Sequence, residues 1–301
     1  MLQPFRLHEP TTPEEASRTL CDLGEDAGVY AGGTELLLAM KQGLLRYPHL
    51  VNIKAIGLDR IAYDDVGRCL RIGATATHRN VEHSPIVRSR YPMIAEMEAR
   101  VANVRVRATG TVGGNLCFAE PHSDVATALL LHDAAVEIHG AEGRRRAPLG
   151  EFMVHAYTTC LRPGDIVLEV DVPALPAGAG ACYQKVAFLE RPSVGVGTAL
   201  VPTPDGASIA EARVAVGCVG PTPFRVPEAE AALRGAPLAE EAAFQTAARD
   251  AAQALLARCD PTEDLYGSRA YKRHLAVVLA RRTAAGARNQ LLAARQHRGG
   301  N

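Results

Sequence analysis

The sequence lacks an excess of charge of either sign, and this absence is the first to limit its function. Lys and Arg together number 33, as do Asp and Glu, so the formal net charge is zero. A general nucleic-acid-binding protein would show a basic excess or a basic stripe, so that class is disfavoured. The sequence also lacks any run near the ~18 apolar residues that a membrane helix needs. Its best candidate, VATALLLHDAAVEI, is interrupted by His132 and Asp133. We therefore expect no nucleic-acid partner and no membrane span.

The cysteines and histidines lack the spacing of metal ligands. No two cysteines form a C-x-x-C pair, and the seven are spread almost evenly over Cys21, Cys69, Cys117, Cys160, Cys182, Cys218 and Cys259. The N-terminal stretch MLQPFRLHEP has no apolar signal-peptide core, so free thiols in the cytoplasm are expected. The ten histidines also lack a metal-binding pattern. We expect no metal or iron–sulfur site on this chain.

The order of the predicted elements indicates two domains. The 301 residues, 47% of them hydrophobic, are enough for about two ordinary domains. Helices and strands are mixed up to a Pro-, Ala- and Gly-rich linker, PALPAGAGA, and we place a boundary at residue 177. Beyond it, CYQKVAFL, SVGVGTALV and IAEARVAVGCVG read as three consecutive strands, and the rest reads as helices. This pattern favours an α+β fold. Residues 291–301 are expected to fray.

One Gly-Gly pair lies between a predicted strand and a predicted helix. The stretch AGGTE, residues 31–35, follows the strand GVYA and opens the helix TELLLAMKQG. Glycines leave backbone N–H groups unshielded and allow positive φ, and a helix start adds unpaired donors. Successive N–H groups of this kind can form a concavity that binds an anion. The alternative is an ordinary turn at a helix start.

A second Gly-Gly pair occurs in TGTVGGNLC, residues 109–117. It is neither the G-x-G-x-x-G dinucleotide pattern nor a P-loop. Two unshielded Gly-Gly turns in one domain would suit one extended ligand with two or more phosphates, such as a dinucleotide. The alternative again is that both are only turns.

Together the two motifs resemble those of the flavoprotein subunits of molybdenum hydroxylases, the xanthine dehydrogenase family that includes the medium subunit of carbon monoxide dehydrogenase. The segments LVNIKAIGLDRI, LRIGATATHRNVEHSPIV, YPMIAEMEARVANVRVRATGTVGGN and YQKVAFLERPSVGVG match as well, so the resemblance covers nearly the whole chain. It implies that the first motif wraps the FAD pyrophosphate and that the second approaches FAD from the other side. It also implies an acidic residue beside the nucleotide and a lysine near the flavin edge.

The cofactor-binding residues so implied are Ala31, Gly32, Gly33, Thr34, Glu35, Thr111, Val112, Gly113, Gly114, Asn115, Asp124 and Lys185. Glu35 departs from the residues usual in the family, and so does Tyr30, which comes directly before Ala31.

The resemblance implies a fold as well. A PCMH-like FAD-binding domain over residues 1–177 would have two α+β subdomains, roughly 1–55 and 56–177, with the cofactor between them. A C-terminal α+β domain over 178–290 would be a three-stranded antiparallel sheet flanked by helices.

The implied function is that of the FAD-carrying electron-transfer subunit of an oxidoreductase complex. Electrons would arrive from [2Fe-2S] clusters on a small partner subunit, which is supplied by a large molybdopterin subunit, in a dimer of heterotrimers. They would leave to NAD, a quinone or another acceptor. Two other functions stay open: a self-contained flavin oxidase or reductase, and a non-catalytic interaction subunit that has lost its flavin.

The stretch FAEPHSDV, residues 118–125, admits two interpretations. Glu120, His122 and Asp124 could form an acid–base cluster. They could instead belong to a helix start with Ser123 as the N-cap, and we favour that interpretation, with no catalytic residue assigned. Cys117 is expected to be a small buried side chain rather than a reactive thiol.

Overall fold

The chain folds into helices and strands that form two compact units, which confirms the predicted α+β class. The structure is a computed structural model that describes residues 2–188 and 190–299. Unit 1 comprises the described residues up to Glu120 together with Asp133–Ala174. Unit 2 comprises Pro121–His132 and the described residues from Leu175 onward. The segment 121–132, which the predicted division gives to the first domain, thus belongs with the second unit.

The strands are short in unit 1, apart from one, and longer in unit 2. In chain order they are β1 (Arg6–His8), β2 (Ala27–Tyr30), β3 (His49–Asn52), β4 (Ile61–Asp64), β5 (Cys69–Gly73), β6 (Ala135–Gly140), β7 (Gly143–Pro148), β8 (Met153–His155), β9 (Thr158–Thr159), β10 (Ile166–Pro173), β11 (Gly180–Ala187), β12 (Pro192–Pro202), β13 (Ile209–Gly217) and β14 (Phe224–Arg225).

Most helices are one to three turns long, and the last two are longer. They are α1 (Pro13–Leu23), α2 (Leu36–Gln42), α3 (His78–His83), α4 (Pro85–Arg90), α5 (Pro92–Glu98), α6 (Val104–Thr109), α7 (Val112–Phe118), α8 (Asp124–Leu129), α9 (Leu149–Phe152), α10 (Pro227–Leu233), α11 (Glu241–Arg258) and α12 (Arg269–Gly299).

Unit 1 contains two sheets. The first is parallel, with strand order β1-β3-β2, and the second is antiparallel, with order β4-β5-β10-β6-β7. Helix α1 buries Ala16 and Leu20 in a core with Val51 of β3 and Leu168 of β10. This core joins the two sheets, so the loop that follows β2 starts from a fixed strand end.

Unit 2 is built on one antiparallel sheet with order β11-β12-β13-β14. Its three long strands are those predicted, and the fourth is a two-residue strand that the sequence analysis did not predict. Helix α12 packs on β11 and β12. It buries Ala276, Leu279, Ala287 and Leu291, residues spaced three, four and eight apart, as expected for one face of a helix.

Two further predictions concern the C-terminal tail and the end of the predicted strand CYQKVAFL. The fraying of residues 291–301 stays a prediction, and α12 extends to Gly299 and buries Leu291. A helix with one apolar face on a sheet gains from packing what an isolated tail lacks. Residues 300 and 301 lie outside the described residues, as does Leu189, the last residue of the predicted strand CYQKVAFL. Within the part that the structure describes, no helix is long and apolar enough to cross a membrane.

Candidate functional site

The first Gly-Gly motif forms a loop at the end of β2, where the chain leaves the parallel sheet and enters α2. Gly33 has a φ of +71°, a conformation that L side chains rarely adopt. Among the described residues, none accepts a hydrogen bond from the backbone N–H groups of Gly32, Gly33 or Thr34. All three residues are only half-buried. Three successive free donors in a glycine-rich turn make a concavity suited to an anion.

The second Gly-Gly motif is helical, which corrects the expectation of a turn. Gly113 and Gly114 lie in the first turn of α7, and Thr111 is its N-cap. The cap side chain accepts a hydrogen bond from the Gly114 N–H, at 3.1 Å. A Cβ at Gly113 would lie 2.7 Å from the carbonyl oxygen of Ala74, so only glycine permits this close approach.

The first N–H groups of α7 already have partners inside the protein. Val112 and Gly113 donate to the carbonyl oxygens of Ala76 and Ala74, both at 3.0 Å, and Asn115 donates to that of Thr111 at 2.9 Å. With the Gly114 bond to the cap, all four donors are used. The sequence analysis expected two unshielded Gly-Gly turns, whereas the N–H groups of this second pair are bonded within the protein. The glycines of the second motif allow close packing, whereas those of the first leave donors free.

The two motifs lie against each other within unit 1. A Cβ at Gly32 would collide with the Thr109 carbonyl oxygen and would lie 2.8 Å from the Gly110 Cα. A Cβ at Gly110 would lie 3.3 Å from the Thr34 hydroxyl oxygen. Glycine at both positions lets the two backbones meet. The structure thus joins the first motif to the residues that lead into the second, as one ligand held by both would require.

The two remaining predicted site residues belong to unit 2 and bind each other. The Lys185 ammonium lies 2.5 Å from Asp124 Oδ2, and the Tyr183 hydroxyl donates to Asp124 Oδ1 at 2.6 Å. The side chains of Lys185 and Asp124 are 9% and 5% exposed. Burial, together with the Asp124 carboxylate, raises the pKa of Tyr183 well above its ordinary value, so its hydroxyl stays a donor. The prediction that these residues and the two motifs line one FAD site stays a prediction.

Tyr183 is a residue that the sequence analysis missed. On β11 it lies two residues from Lys185, so both side chains point to the same face of the sheet. Gly195 and Gly197 stand opposite Lys185 and Tyr183 on β12. A Cβ at Gly195 would collide with the Tyr183 hydroxyl. The sequence does contain a signal for Tyr183. In the strand motif Y-Q-K, Tyr183 lies two residues before Lys185, and the motif G-V-G on the next strand leaves space for both side chains.

The FAEPHSDV stretch is a helix start, as favoured. Ser123 caps α8 by accepting from the Ala126 N–H at 3.2 Å. Glu120 accepts a hydrogen bond from the Tyr157 hydroxyl at 2.8 Å, His122 lies 3.2 Å from Asp264, and Asp124 pairs with Lys185.

Cys117 lies on α7, one turn beyond the second Gly-Gly pair. The residue is only partly exposed, and burial of its thiol raises the pKa to about 12. Such a thiol stays protonated at neutral pH, and the thiolate is the reactive form. Among the described residues, no group of three or more His, Cys, Asp or Glu side chains could hold a metal ion.

The residues present fit a diphosphate-bearing cofactor at the first motif. A pyrophosphate needs hydrogen-bond donors that the protein does not already use, and the backbone of residues 32–34 offers three. The adjacent 109–110 backbone, at the end of α6, forms a wall beside them. FAD is a ligand of this class.

Comparisons with known proteins give the same cofactor. Residues 3–175 match the FAD binding domain in molybdopterin dehydrogenase, and residues 192–287 match the CO dehydrogenase flavoprotein C-terminal domain.

Individual relatives match along most of the chain. The carbon monoxide dehydrogenase medium chain of Hydrogenophaga pseudoflava is 33% identical over 92% of this chain and 95% of its own length. The putative xanthine dehydrogenase FAD-binding subunit XdhB of Escherichia coli (strain K12) is 30% identical over 77% of this chain and 80% of its own. A solved structure of carbon monoxide dehydrogenase from H. pseudoflava, lacking the Mo-pyranopterin moiety of its molybdenum cofactor, superimposes with a TM-score of 0.90 at 32% identity. That superposition covers 96% of this chain and 99% of the other.

Proposed function

This chain belongs to the FAD-binding subunits of the molybdenum hydroxylases, the family of carbon monoxide and xanthine dehydrogenases, and we propose that it is the electron-transfer subunit of such a complex. In this role it takes electrons from the iron–sulfur clusters of a partner subunit and delivers them to NAD, a quinone or another acceptor. FAD, when bound, supplies a carrier that exchanges electrons singly or in pairs, and the protein supplies binding and position.

The observation that carries this proposal is the free backbone of the first motif. Three successive N–H donors, which have no partner among the described residues and lie beside the 109–110 backbone, support an anionic ligand from outside the chain. We propose that Ala31, Gly32, Gly33, Thr34 and Glu35 hold the pyrophosphate of FAD.

The second motif has a different role in this proposal. Because its N–H groups are used within the protein, we propose that Thr111, Gly113, Gly114 and Asn115 keep α7 in place beside FAD. Gly114 is exposed, which leaves room for a ligand beside it. We place Asp124 and Lys185 at the nucleotide and flavin portions, on the strength of the family resemblance and of their own ion pair.

The partners follow from the family. The relatives include medium chains of multi-subunit enzymes. We propose a large molybdopterin subunit and a small [2Fe-2S] subunit as partners of this chain, assembled in the cytoplasm as a dimer of heterotrimers. The substrate is then oxidised on the large subunit. We also retain the division into an FAD-binding domain, residues 1–177, and a C-terminal domain, residues 178–290.

The identity of the cofactor is the first prediction to test. A loop that supplies donors for a pyrophosphate should retain FAD and discriminate against FMN, which has a single phosphate. We expect acid treatment of the freshly purified protein, with its co-purifying subunits, to release FAD that chromatography separates from FMN. Recovery of FMN alone, or of no flavin, would refute the assignment of the first motif.

A further inference from the structure

A buried imidazole–carboxylate pair lies next to Gly110, the residue that leads into the second Gly-Gly motif. His78 is the first residue of α3 and Glu98 is the last residue of α5. The distance from His78 Nδ1 to Glu98 Oε2 is 2.8 Å, and the two side chains are 3% and 1% exposed. Both helices belong to unit 1. The hydrogen bond fixes the orientation of the imidazole ring, because a buried polar pair has no solvent to replace a lost partner.

The opposite edge of the ring faces Gly110. A Cβ at Gly110 would lie only 3.2 Å from His78 Cδ2, so the ring supports the backbone at this position. The His78 N–H also donates to the Gly110 carbonyl oxygen at 3.1 Å. Gly110 is therefore held by both the backbone and the side chain of one residue.

Gly110 in turn lies next to the proposed phosphate loop. Its Cα and the Thr109 carbonyl oxygen occupy the space where Gly32 would carry a Cβ. The contacts thus run in sequence from Glu98 to His78, from His78 to the 109–110 backbone, and from that backbone to Gly32. A movement of the imidazole ring would change how closely the 109–110 backbone approaches the loop.

We propose that His78 is a positioning residue for FAD, which acts through Gly110. Its ring sets the separation between the 109–110 backbone and the donors of residues 32–34, and Glu98 keeps the ring in that orientation. Neither side chain needs to touch the cofactor. The inference rests on the proposed function, since it assumes that the FAD pyrophosphate lies on the first motif.

Three variants of the full chain, purified with its co-purifying subunits, separate positioning from stability. His78→Asn keeps a side-chain nitrogen near Glu98 and removes the ring edge that supports Gly110. Glu98→Gln keeps the ring and a hydrogen bond to it. Val81→Ala makes a cavity on the same helix, at a fully buried residue outside this set of contacts, and serves as the matched control. For each variant we would measure the Tm without cofactor, the Kd on titration with FAD, and the ³¹P NMR shifts of bound FAD at saturation.

We expect His78→Asn to raise the Kd for FAD at least tenfold and to move the pyrophosphate ³¹P resonances. Glu98→Gln should stay within threefold of the parent. Val81→Ala should lower the Tm, yet keep the Kd within twofold and the resonances in place. The inference is overturned if His78→Asn binds FAD within twofold of the parent, or if Val81→Ala weakens binding as much as His78→Asn does.

A fourth variant distinguishes this inference from the proposed function. Gly33→Val alters the phosphate loop directly. If it abolishes FAD binding while His78→Asn has no effect, the site stands and the positioning role fails. If Gly33→Val leaves FAD binding unchanged, the site itself is misplaced.

Discussion

At the scale of single residues, the two Gly-Gly pairs look alike in the sequence but have different structural roles. Gly33 adopts positive φ in a loop with free N–H groups, whereas Gly113 has its N–H paired and packs against Ala74. The sequence alone does not distinguish a glycine pair with free N–H groups from one with bonded N–H groups, because the difference depends on which carbonyl oxygens the fold brings near.

The first residue-scale prediction concerns Gly33. Gly33→Val should weaken FAD binding more than a hundredfold, because a β-branched residue resists positive φ and distorts the donors. Loss of two charge-assisted hydrogen bonds, at about 1.5–3 kcal/mol each, accounts for that factor. Gly43→Val is the matched control, since Gly43 also has positive φ, at +77°, but ends α2 away from the loop.

Equilibrium titration with FAD compares the two variants. Both should lose stability from backbone strain, and only Gly33→Val should lose FAD. Equal flavin content in both variants would mean that the first motif is only a turn. Gly114→Val, by contrast, should act through bulk beside the ligand, because its N–H is already bound by Thr111.

The second residue-scale prediction concerns the buried pair of Asp124 and Lys185. Removing one partner of a buried ion pair typically costs about 3–5 kcal/mol, because the other charge stays desolvated. Asp124→Asn and Lys185→Met should each destabilise the chain, and the double variant should lose less than the sum. Urea unfolding of the four proteins gives the coupling energy, which we expect at about 0.5–3 kcal/mol. Strict additivity would show that the two groups do not interact.

At the scale of elements, α7 is the helix that contains the second Gly-Gly motif. Its cap residue, Thr111, also bridges to the segment before α3, since Thr77 and Thr111 form an isolated β-bridge. Thr111→Ala should cost about 1 kcal/mol of stability through loss of the cap. It should also weaken FAD binding, because the Gly114 turn is no longer fixed.

Thr12→Ala is the matched control for that prediction. Thr12 caps α1 in the same way, with its hydroxyl accepting from the Glu15 N–H at 3.1 Å. Thermal unfolding and FAD titration of the two variants should show similar losses of stability. A similar loss of FAD affinity in Thr12→Ala would contradict a local role for α7.

Several helices and strands could be predicted from the sequence, and others could not. The strand before AGGTE, the capped helix at Ser123 and the three long strands of unit 2 follow from local patterns of glycine, capping residues and alternation. The helix of the second motif was missed, because a Gly-Gly pair has poor helix propensity and only the fixed cap and the contact with Ala74 hold it helical. The membership of residues 121–132 in unit 2 depends on long-range packing, which local patterns do not encode.

At the scale of the whole molecule, we propose that the chain is an electron carrier rather than a complete enzyme. The site residues that we predict are expected to bind a cofactor, and within the described residues no cluster of side chains offers a metal site. In the complex that we propose, other subunits supply the electron source and the substrate site.

The most direct test of this account is substrate-dependent reduction of the flavin, followed by visible absorption. The chain would be prepared alone, reloaded with FAD if needed, and also assembled with its large and small partner subunits. Each preparation would be exposed without oxygen to aldehydes, N-heterocycles and carbon monoxide. The account predicts that the flavin band bleaches with a substrate of the assembled complex and stays oxidised in the isolated chain. Rapid bleaching of the isolated chain by one of these substrates would contradict it and would identify a self-contained flavin enzyme.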